Sequence, residues 1–275
     1  MTANRDVKDF AHLIEALHPW LNQIVVIGGW AYRLYRLHPL AQQLEYEPLA
    51  TFDTDVAVPA HLFVAGPNMH ECLIASGFLE EKLGEAQPPA AHYRLVSAET
   101  GFYAEFLTPL EGNEYKRGGQ RDATTRIAGV SSQKLRHIDL LLKNPWAVEI
   151  DATNGYPTAE TRRVQLPNPA SFLAQKALIH HKRDRIDRAK DVLYIHDTVE
   201  AFGGALTAIR KQWVTDVKPG LHTNGIRKIE KAADVLFAEV DDTIREAARI
   251  AVGRNLTAES IREACSYGWN QIFPS

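Results

Sequence analysis

Ile24-Val25-Val26-Ile27-Gly28-Gly29-Trp30-Ala31 and, further on, Thr51-Phe52-Asp53-Thr54-Asp55-Val56-Ala57-Val58 are the stretches whose reading decides the fold. The apolar run of the first stretch reads as a strand, the two glycines as a tight turn, and Ala31 to Leu37 as a helix. The second stretch reads as another strand. Side chains alternate faces along a strand, so Asp53 and Asp55 point to the same side. Two carboxylates that close repel, and burial worsens the repulsion. A positive group is therefore expected between them. A hard divalent cation with oxygen ligands fits best, and Mg²⁺ would bring phosphates with it. Gly28 and Gly29 lack a Cβ, so backbone N–H groups there can approach a ligand closely, and a helix start carries positive partial charge suited to phosphate.

Outward from this stretch, Asp6 to Leu21 carries Val7, Phe10, Ala11, Ile14 and Leu17 at helical spacing, with Pro19 as its stop. Met69 to Leu83 reads as a helix with a C-cap near Gly77-Phe78, and Gln87-Pro88-Pro89 as a loop. Tyr93–Val96 and Phe102–Leu107 read as two strands of a hairpin turning at Glu99-Thr100-Gly101. Glu105 lies inside the second of these, flanked by Ala104 and Phe106, and a carboxylate there calls for a partner. The plainer reading is a solvent-facing glutamate, since Tyr103, Glu105 and Leu107 share one face. Asp139, in Ile138-Asp139-Leu140, is a second lone carboxylate read in an apolar strand. Glu149 and Asp151 sit at a strand end before Asn154-Gly155, which suits a turn. Residues 114–126 include Lys116-Arg117-Gly118-Gly119-Gln120-Arg121 and read as a basic loop. Such a loop suits an exposed linker, or contact with a nucleotide or RNA backbone. On the helix after Ile27, Arg33 and Arg36 read as surface charges or as triphosphate contacts.

Val164-Gln165-Leu166-Pro167-Asn168-Pro169 reads as a boundary, giving one domain over 1–166 and a helical domain over 167–275. Ala170 to Val199 reads as one helical region. Lys176, Arg183 and Asp187 fall on one face there, flanked by Lys190 and Asp191. Such mixed stripes are ordinarily solvated, but Lys176 follows the apolar Phe172, Leu173 and Ala174. Further helices follow, with apolar spacing over Ile226 to Ala248, Thr257 as an N-cap, and Trp269 and Phe273 closing a core.

Strand, Gly-Gly, helix and then Asp-x-Asp on the next strand resembles the nucleotidyltransferase superfamily of the polymerase-β-like fold, through Gly28, Gly29, Asp53 and Asp55. The gap from Gly29 to Asp53 is longer than usual there, and an insertion with His38-Pro39 and Glu47-Pro48 accounts for it. The likeness narrows at Lys176, Arg185, Lys190 and Asp191, which are similar to the third motif of AbiEii-like nucleotidyltransferases and MenA-type toxins. A further acid common in that family is Tyr194 here. The resemblance covers residues 20–200. It implies an α+β fold, with a nucleotidyltransferase-like mixed sheet flanked by helices and a C-terminal helical bundle. It also implies two Mg²⁺ ions held by Asp53, Asp55 and a third acid on a neighbouring strand, with Glu105 the candidate and Asp139 its rival. The Gly28-Gly29 turn would hold phosphates. Lys176, entering a cleft from the helical side, would neutralise phosphate charge with Arg185. The implied reaction moves an NMP group from an NTP to a hydroxyl on tRNA, a protein or a small molecule. A cognate antitoxin is the implied partner of a toxin of this kind. The competing function is a nucleotide- or partner-binding protein that keeps the fold without the chemistry. Metal-dependent phosphohydrolysis is disfavoured, because no histidine lies near Asp53 or Asp55 in sequence.

The remaining bounds are consistent with this. A chain of 275 residues buries a substantial core. The net charge of −3 supplies no global attraction to nucleic acid. Cys72 and Cys265 are too few for a disulfide framework or a zinc cluster. No signal-type or membrane-spanning run is read, which points to a cytoplasmic setting.

Overall fold

The computed structural model describes residues 5–63, 66–84, 90–99, 101–113, 115, 119 and 122–274. The loop at Gln87-Pro88-Pro89 and most of the basic loop around Lys116-Arg117 lie outside these residues. The chain forms two compact units, Met1–Ala31 with Ala50–Pro167 and Tyr32–Leu49 with Asn168–Ser275.

The first unit is α+β. In chain order it contains α1 (Arg5–Ala16), β1 (Val25–Ile27), the start of α2 (Gly28–Leu34), β2 (Asp53–Ala57), α3 (Met69–Ala75), β3 (Phe78–Leu83), β4 (Ala90–Leu95) and β5 (Tyr103–Pro109). These are followed by β6 (Thr124–Ile127), β7 (Val130–Leu135), α4 (Ile138–Leu141), β8 (Trp146–Ile150) and β9 (Arg162–Leu166). Seven strands make one mixed sheet in the order β1-β2-β5-β4-β3, with β7 pairing β5 and β6 pairing β7. β2 and β7 run parallel to β5, while β1–β2, β3–β4, β4–β5 and β6–β7 are antiparallel. β8 and β9 form a separate antiparallel ribbon.

The period of two explains how the sheet is held. Thr54 and Val56 of β2, Ala104 and Phe106 of β5 and Tyr93 of β4 are all buried. They lie in register with one another, Thr54 with Ala104 and Tyr93, Val56 with Phe106. On the other face, beyond the acidic positions, Ala57 and Leu107 join Val25, Ile27, Ile138 and Leu141 in a buried cluster. Phe10 of α1 stacks on Trp30, with centroids 3.9 Å apart. Arg162 of β9 holds Glu15 of α1 at 2.8 Å.

Three expectations are corrected. Met69 to Leu83 is not one helix. α3 begins with a capping box at Asn68 and ends before Gly77, whose left-handed backbone (φ 82°) turns the chain into β3. Asp139 is not on a strand, since α4 is a short helix that buries Ile138, Leu140 and Leu141 and leaves Asp139 exposed. Residues 170–199 form two helices, α5 (Pro169–Ile179) and α6 (Arg185–Ala201), separated by a 3₁₀ turn at His180–Lys182. Asp184 restarts the helix by accepting from the Asp187 N–H at 2.8 Å. The expected hairpin, the Asp151 turn and the Thr257 N-cap are present.

The second unit is helical, continuing with α7 (Leu206–Gln212), α8 (Thr223–Glu230), α9 (Ala232–Leu236), α10 (Asp242–Ile250) and α11 (Ala258–Ile272). Trp213, Phe237, Trp269 and Phe273 fill its core, and the Trp269 indole N–H donates to the Ile229 carbonyl at 2.8 Å. The insertion at residues 32–49 belongs to this unit. Asp197 of α6 is fully buried and accepts from Tyr32 (2.6 Å) and from Arg254 Nη1 (2.8 and 2.9 Å). The Tyr46 hydroxyl lies between Asp197 and Glu200. Arg254 also stacks on the Tyr46 ring at 3.9 Å and donates to the Glu47 carbonyl at 3.0 Å. Burial acts to raise the Asp197 pKa, but hydrogen bonds from His196 and Tyr32 and the Arg254 charge outweigh it and leave it lowered.

Removing one partner of a buried ion pair leaves the other uncompensated, at a cost of about 3–5 kcal/mol. Arg254→Met is therefore expected to lower stability by that order in urea denaturation. A lowered carboxylate pKa stabilises the fold above its ordinary value of 3.8 and loses that contribution as pH falls below it. The gap between wild type and Arg254→Met should accordingly narrow in denaturation series taken below pH 4.

Candidate active site

The site is built by strand register. β2 and β5 run parallel with Asp53 opposite Tyr103 and Asp55 opposite Glu105. β4 places His92 opposite Glu105 and Arg94 opposite Tyr103, and β3 places Glu81 opposite His92. Opposed residues share a face. One row across the sheet thus reads Ile27, Asp55, Glu105, His92, Glu81, and the next reads Asp53, Tyr103, Arg94. Both expected carboxylates of β2 and the expected Glu105 lie on this one face. Asp53 is exposed, and Asp55 and Glu105 are half-buried.

The electrostatics follow from that placement. Burial pushes the Glu105 pKa up, and Asp53 adds to the rise, while His92 opposes it. Tyr103 is pushed up to about 12, first by burial and then by Asp53, Glu105 and Asp55. One phenol thus feels all three carboxylates. His92 is held by Glu81 at 2.6 Å and lies tilted against the Tyr103 ring with centroids 4.8 Å apart, and Arg94 donates to Glu81 at 2.6 Å. Among the expected residues, Asp139 is outside the row, on α4.

The glycine turn closes the row at β1. Gly28 has φ 65°, and a Cβ there would land on the Asp55 carboxylate. Gly29 lies against Thr51, where a Cβ would be 3.0 Å from the side chain. The Thr51 hydroxyl in turn donates to the Asp53 carboxylate. Glycine is required at 28 both by backbone conformation and by the space Asp55 occupies.

The residues of the third motif are placed within the helical unit. Lys176 is buried and donates to Asp191 at 2.5 Å, over the rings of Phe172 and Tyr194. Arg183 Nε is 3.4 Å from the other Asp191 oxygen. Arg185 is exposed near Glu246, and Lys190 lies 4.0 Å from Asp187. The structure therefore joins Lys176 and Asp191 and separates Arg185 and Lys190 from them. Arg36 donates to the Tyr46 carbonyl, and Arg33 is buried. His92 and Glu81 are not legible from the sequence, and Tyr103 reads there only as sharing a face with Glu105, because membership of the row depends on which strands pair. A strand with period-two polar residues, His92 and Arg94, was the available signal.

The profile of a family described as nucleotidyltransferase matches residues 5–215 of the 275. The chain belongs to this nucleotidyltransferase family. No curated protein matches the sequence. Family membership makes the chain a transferase of phosphorus-containing groups with an NTP as substrate. Enzymes of this kind generally use divalent metals, and the acids of β2 and β5 suit such an ion. Three carboxylates share a face, burial and Asp53 raise the Glu105 pKa, burial and all three acids raise that of Tyr103, and the missing Cβ at Gly28 gives the Asp55 carboxylate its room. Among the described residues, His196, Asp197 and Glu200 also bring ligand atoms within 4.8 Å of one another. This nucleotidyltransferase supplies the positive charge there itself, through Arg254. No helix among the described residues is long and apolar enough to cross a membrane.

Two outcomes are expected. Gly28→Ala places a side chain in a left-handed conformation, at about 1–2 kcal/mol, and displaces Asp55. Its denaturation midpoint should fall, with activity falling further than stability accounts for. Glu105→Gln removes a carboxylate whose pKa is raised. A raised acid costs the fold stability once it ionises, so the variant should be more stable than wild type at pH 7 in the absence of metal. That gain should vanish as pH drops below the ordinary value of 4.5. Thermal melts at pH 7 and pH 3.5 check both halves.

Proposed function

We propose that this nucleotidyltransferase moves an NMP group from an NTP to a hydroxyl acceptor in a Mg²⁺-dependent reaction, with Asp53, Asp55 and Glu105 as the metal ligands. The observation that carries the reading is the parallel register that sets Asp55 opposite Glu105 with Asp53 on the same face. Two Mg²⁺ ions held there would neutralise phosphate charge and lower the pKa of the acceptor hydroxyl. The chain's own residues do the rest. The Gly28-Gly29 turn would hold the phosphates through its backbone N–H groups. Thr51 orients Asp53 through its hydroxyl. The acceptor oxygen bonds to the α-phosphorus as its proton is released, the bond to the bridging oxygen breaks, and pyrophosphate leaves.

The acceptor proposed for first testing is tRNA, with a protein or a small hydroxylated molecule as the alternatives. Support comes from the likeness of Gly28, Gly29, Asp53, Asp55, Lys176, Arg185, Lys190 and Asp191 to AbiEii-like and MenA-type toxins. A cognate antitoxin and a cytoplasmic setting, consistent with two free cysteines, belong to the same reading. Within it, the buried Lys176–Asp191 pair acts to hold α5 against α6.

Incubation with Mg²⁺, each α-³²P-labelled NTP in turn and total tRNA should label RNA. Asp53→Asn should lower the rate at least about a hundredfold, the order expected when transition-state charge stabilisation is lost. Label on the protein alone would move the acceptor to a polypeptide. Mg²⁺-dependent stabilisation by an NTP with no pyrophosphate released, across all acceptors, would replace the transfer reading with a binding one.

A further inference from the structure

The helical unit contains a cavity of about 420 Å³ that shares no residue with the carboxylate row. Ala177 and Leu178 of α5 and Ala232 and Leu236 of α9 give it an apolar floor. Its rim is basic, with Lys228 of α8 and Lys231 between α8 and α9. Arg227, His180 and His181 also line it, and no carboxylate does. Among the described residues, neither Lys228 nor Lys231 has an ion-pair or hydrogen-bond partner for its side chain. Arg227 has only Asn224, at 3.5 Å.

A helix C-terminus favours a cation or two through its dipole. That accounts for charge at the end of α8 but not for the hollow it borders. Arg227 and Lys231 are also four residues apart, a spacing at which like charges destabilise a helix. Apolar floor and cationic rim together fit one kind of ligand, with an apolar body for the floor and an anionic head for the rim. The volume falls in the range of small-molecule sites. Lysine pairs with phosphate as a point charge without demanding a fixed geometry.

We propose that this cavity binds an organic phosphate with a planar or apolar body of about mononucleotide size. Apolar contact with Ala177, Leu178, Ala232 and Leu236 holds the body, and Lys228 and Lys231 hold the phosphate. This inference is independent of the transfer reaction.

The test uses 4-methylumbelliferyl phosphate as probe, titrated into the full chain in EDTA at low salt and followed by fluorescence. Saturable binding is expected. Lys228→Gln with Lys231→Gln should weaken it at least tenfold, and added salt should weaken the wild type further. Ala177→Trp, which fills the floor from a half-buried position on α5, should also abolish binding. The melting midpoint of each variant reports whether it is folded. The phosphate-free 4-methylumbelliferone should bind at least tenfold more weakly, and inorganic phosphate at equal concentration should not compete. Asp53→Asn with Asp55→Asn should bind the probe as the wild type does, which separates this site from the carboxylate row whatever becomes of the transfer reading. The proposal is overturned if the wild type shows no saturation up to millimolar probe. It is equally overturned if the lysine and Ala177→Trp variants, both folded, bind unchanged, or if binding is lost in the aspartate variant.

Discussion

The placement of Asp55 beside Glu105, with Glu105 half-buried, is the constraint on which the sheet's organisation depends. A parallel register sets the two opposite each other, and Asp53 lies one step away on the same face. Burial first, and then the Asp53 charge, raise the Glu105 pKa, and that rise records the cost of ionising the acid there. The cost is met on the other face of the same strands, where Thr54, Val56, Ala104 and Phe106 are buried. Strand alternation therefore lets one pair of strands hold a cohesive face and a repulsive one. The second face is stable enough to be kept only because the first is well packed.

The helical unit handles charge in a different way. Its buried acids, Asp191 and Asp197, each have a cation in contact, Lys176 for one and Arg254 for the other. Asp197 also gathers Tyr32, Tyr46 and His196, so the segment 32–49 is tied to α6 by side chains. This gives the long gap between the glycine turn and the Asp-x-Asp strand a physical account. The extra residues supply Tyr46 and the carbonyl of Glu47 to a buried network. Long insertions add little closure entropy, and a polar network of this kind is sustained only when its members are satisfied.

The strand, Gly-Gly turn and Asp-x-Asp strand were legible because each rests on local rules: an apolar run, positive φ at Gly28, and period-two alternation. Glu105 was legible as an acid among apolar neighbours, and the register sets it beside Asp55. Asp139 carried the same local signal, an acid among leucines, yet it lies on a four-residue helix. A short apolar run does not distinguish strand from helix. His92 and Glu81 were hidden for another reason. Nothing local reveals that β4 pairs with β5 through His92 and Glu105, or that β3 follows it. In the second half, helical periodicity runs on across His180–Lys182 in the sequence, while the extended backbone at Arg183 and Asp184 breaks the helix there. The lysine and acid were thus read as neighbours on a stripe. The structure makes them partners across two helices.

The row on the sheet face also differs electrostatically from one end to the other. On its β3 and β4 side the protein supplies its own partners: Arg94 binds Glu81, and His92 binds Glu81 while facing Glu105. His92 does act to lower the Glu105 pKa, but burial outweighs it, and Asp53 adds to the rise. Toward β1 the row continues from Asp55 to Ile27, which is buried in the apolar cluster with Ala57 and Leu107. The Glu81 pKa is lowered and the Glu105 pKa is raised, and Gly28 gives the Asp55 carboxylate the place that a Cβ would take. The row thus runs from an acid held low by its own partners, Glu81, to an acid held high by burial, Glu105, and it is at the second that a neighbouring positive charge would change the electrostatic cost most.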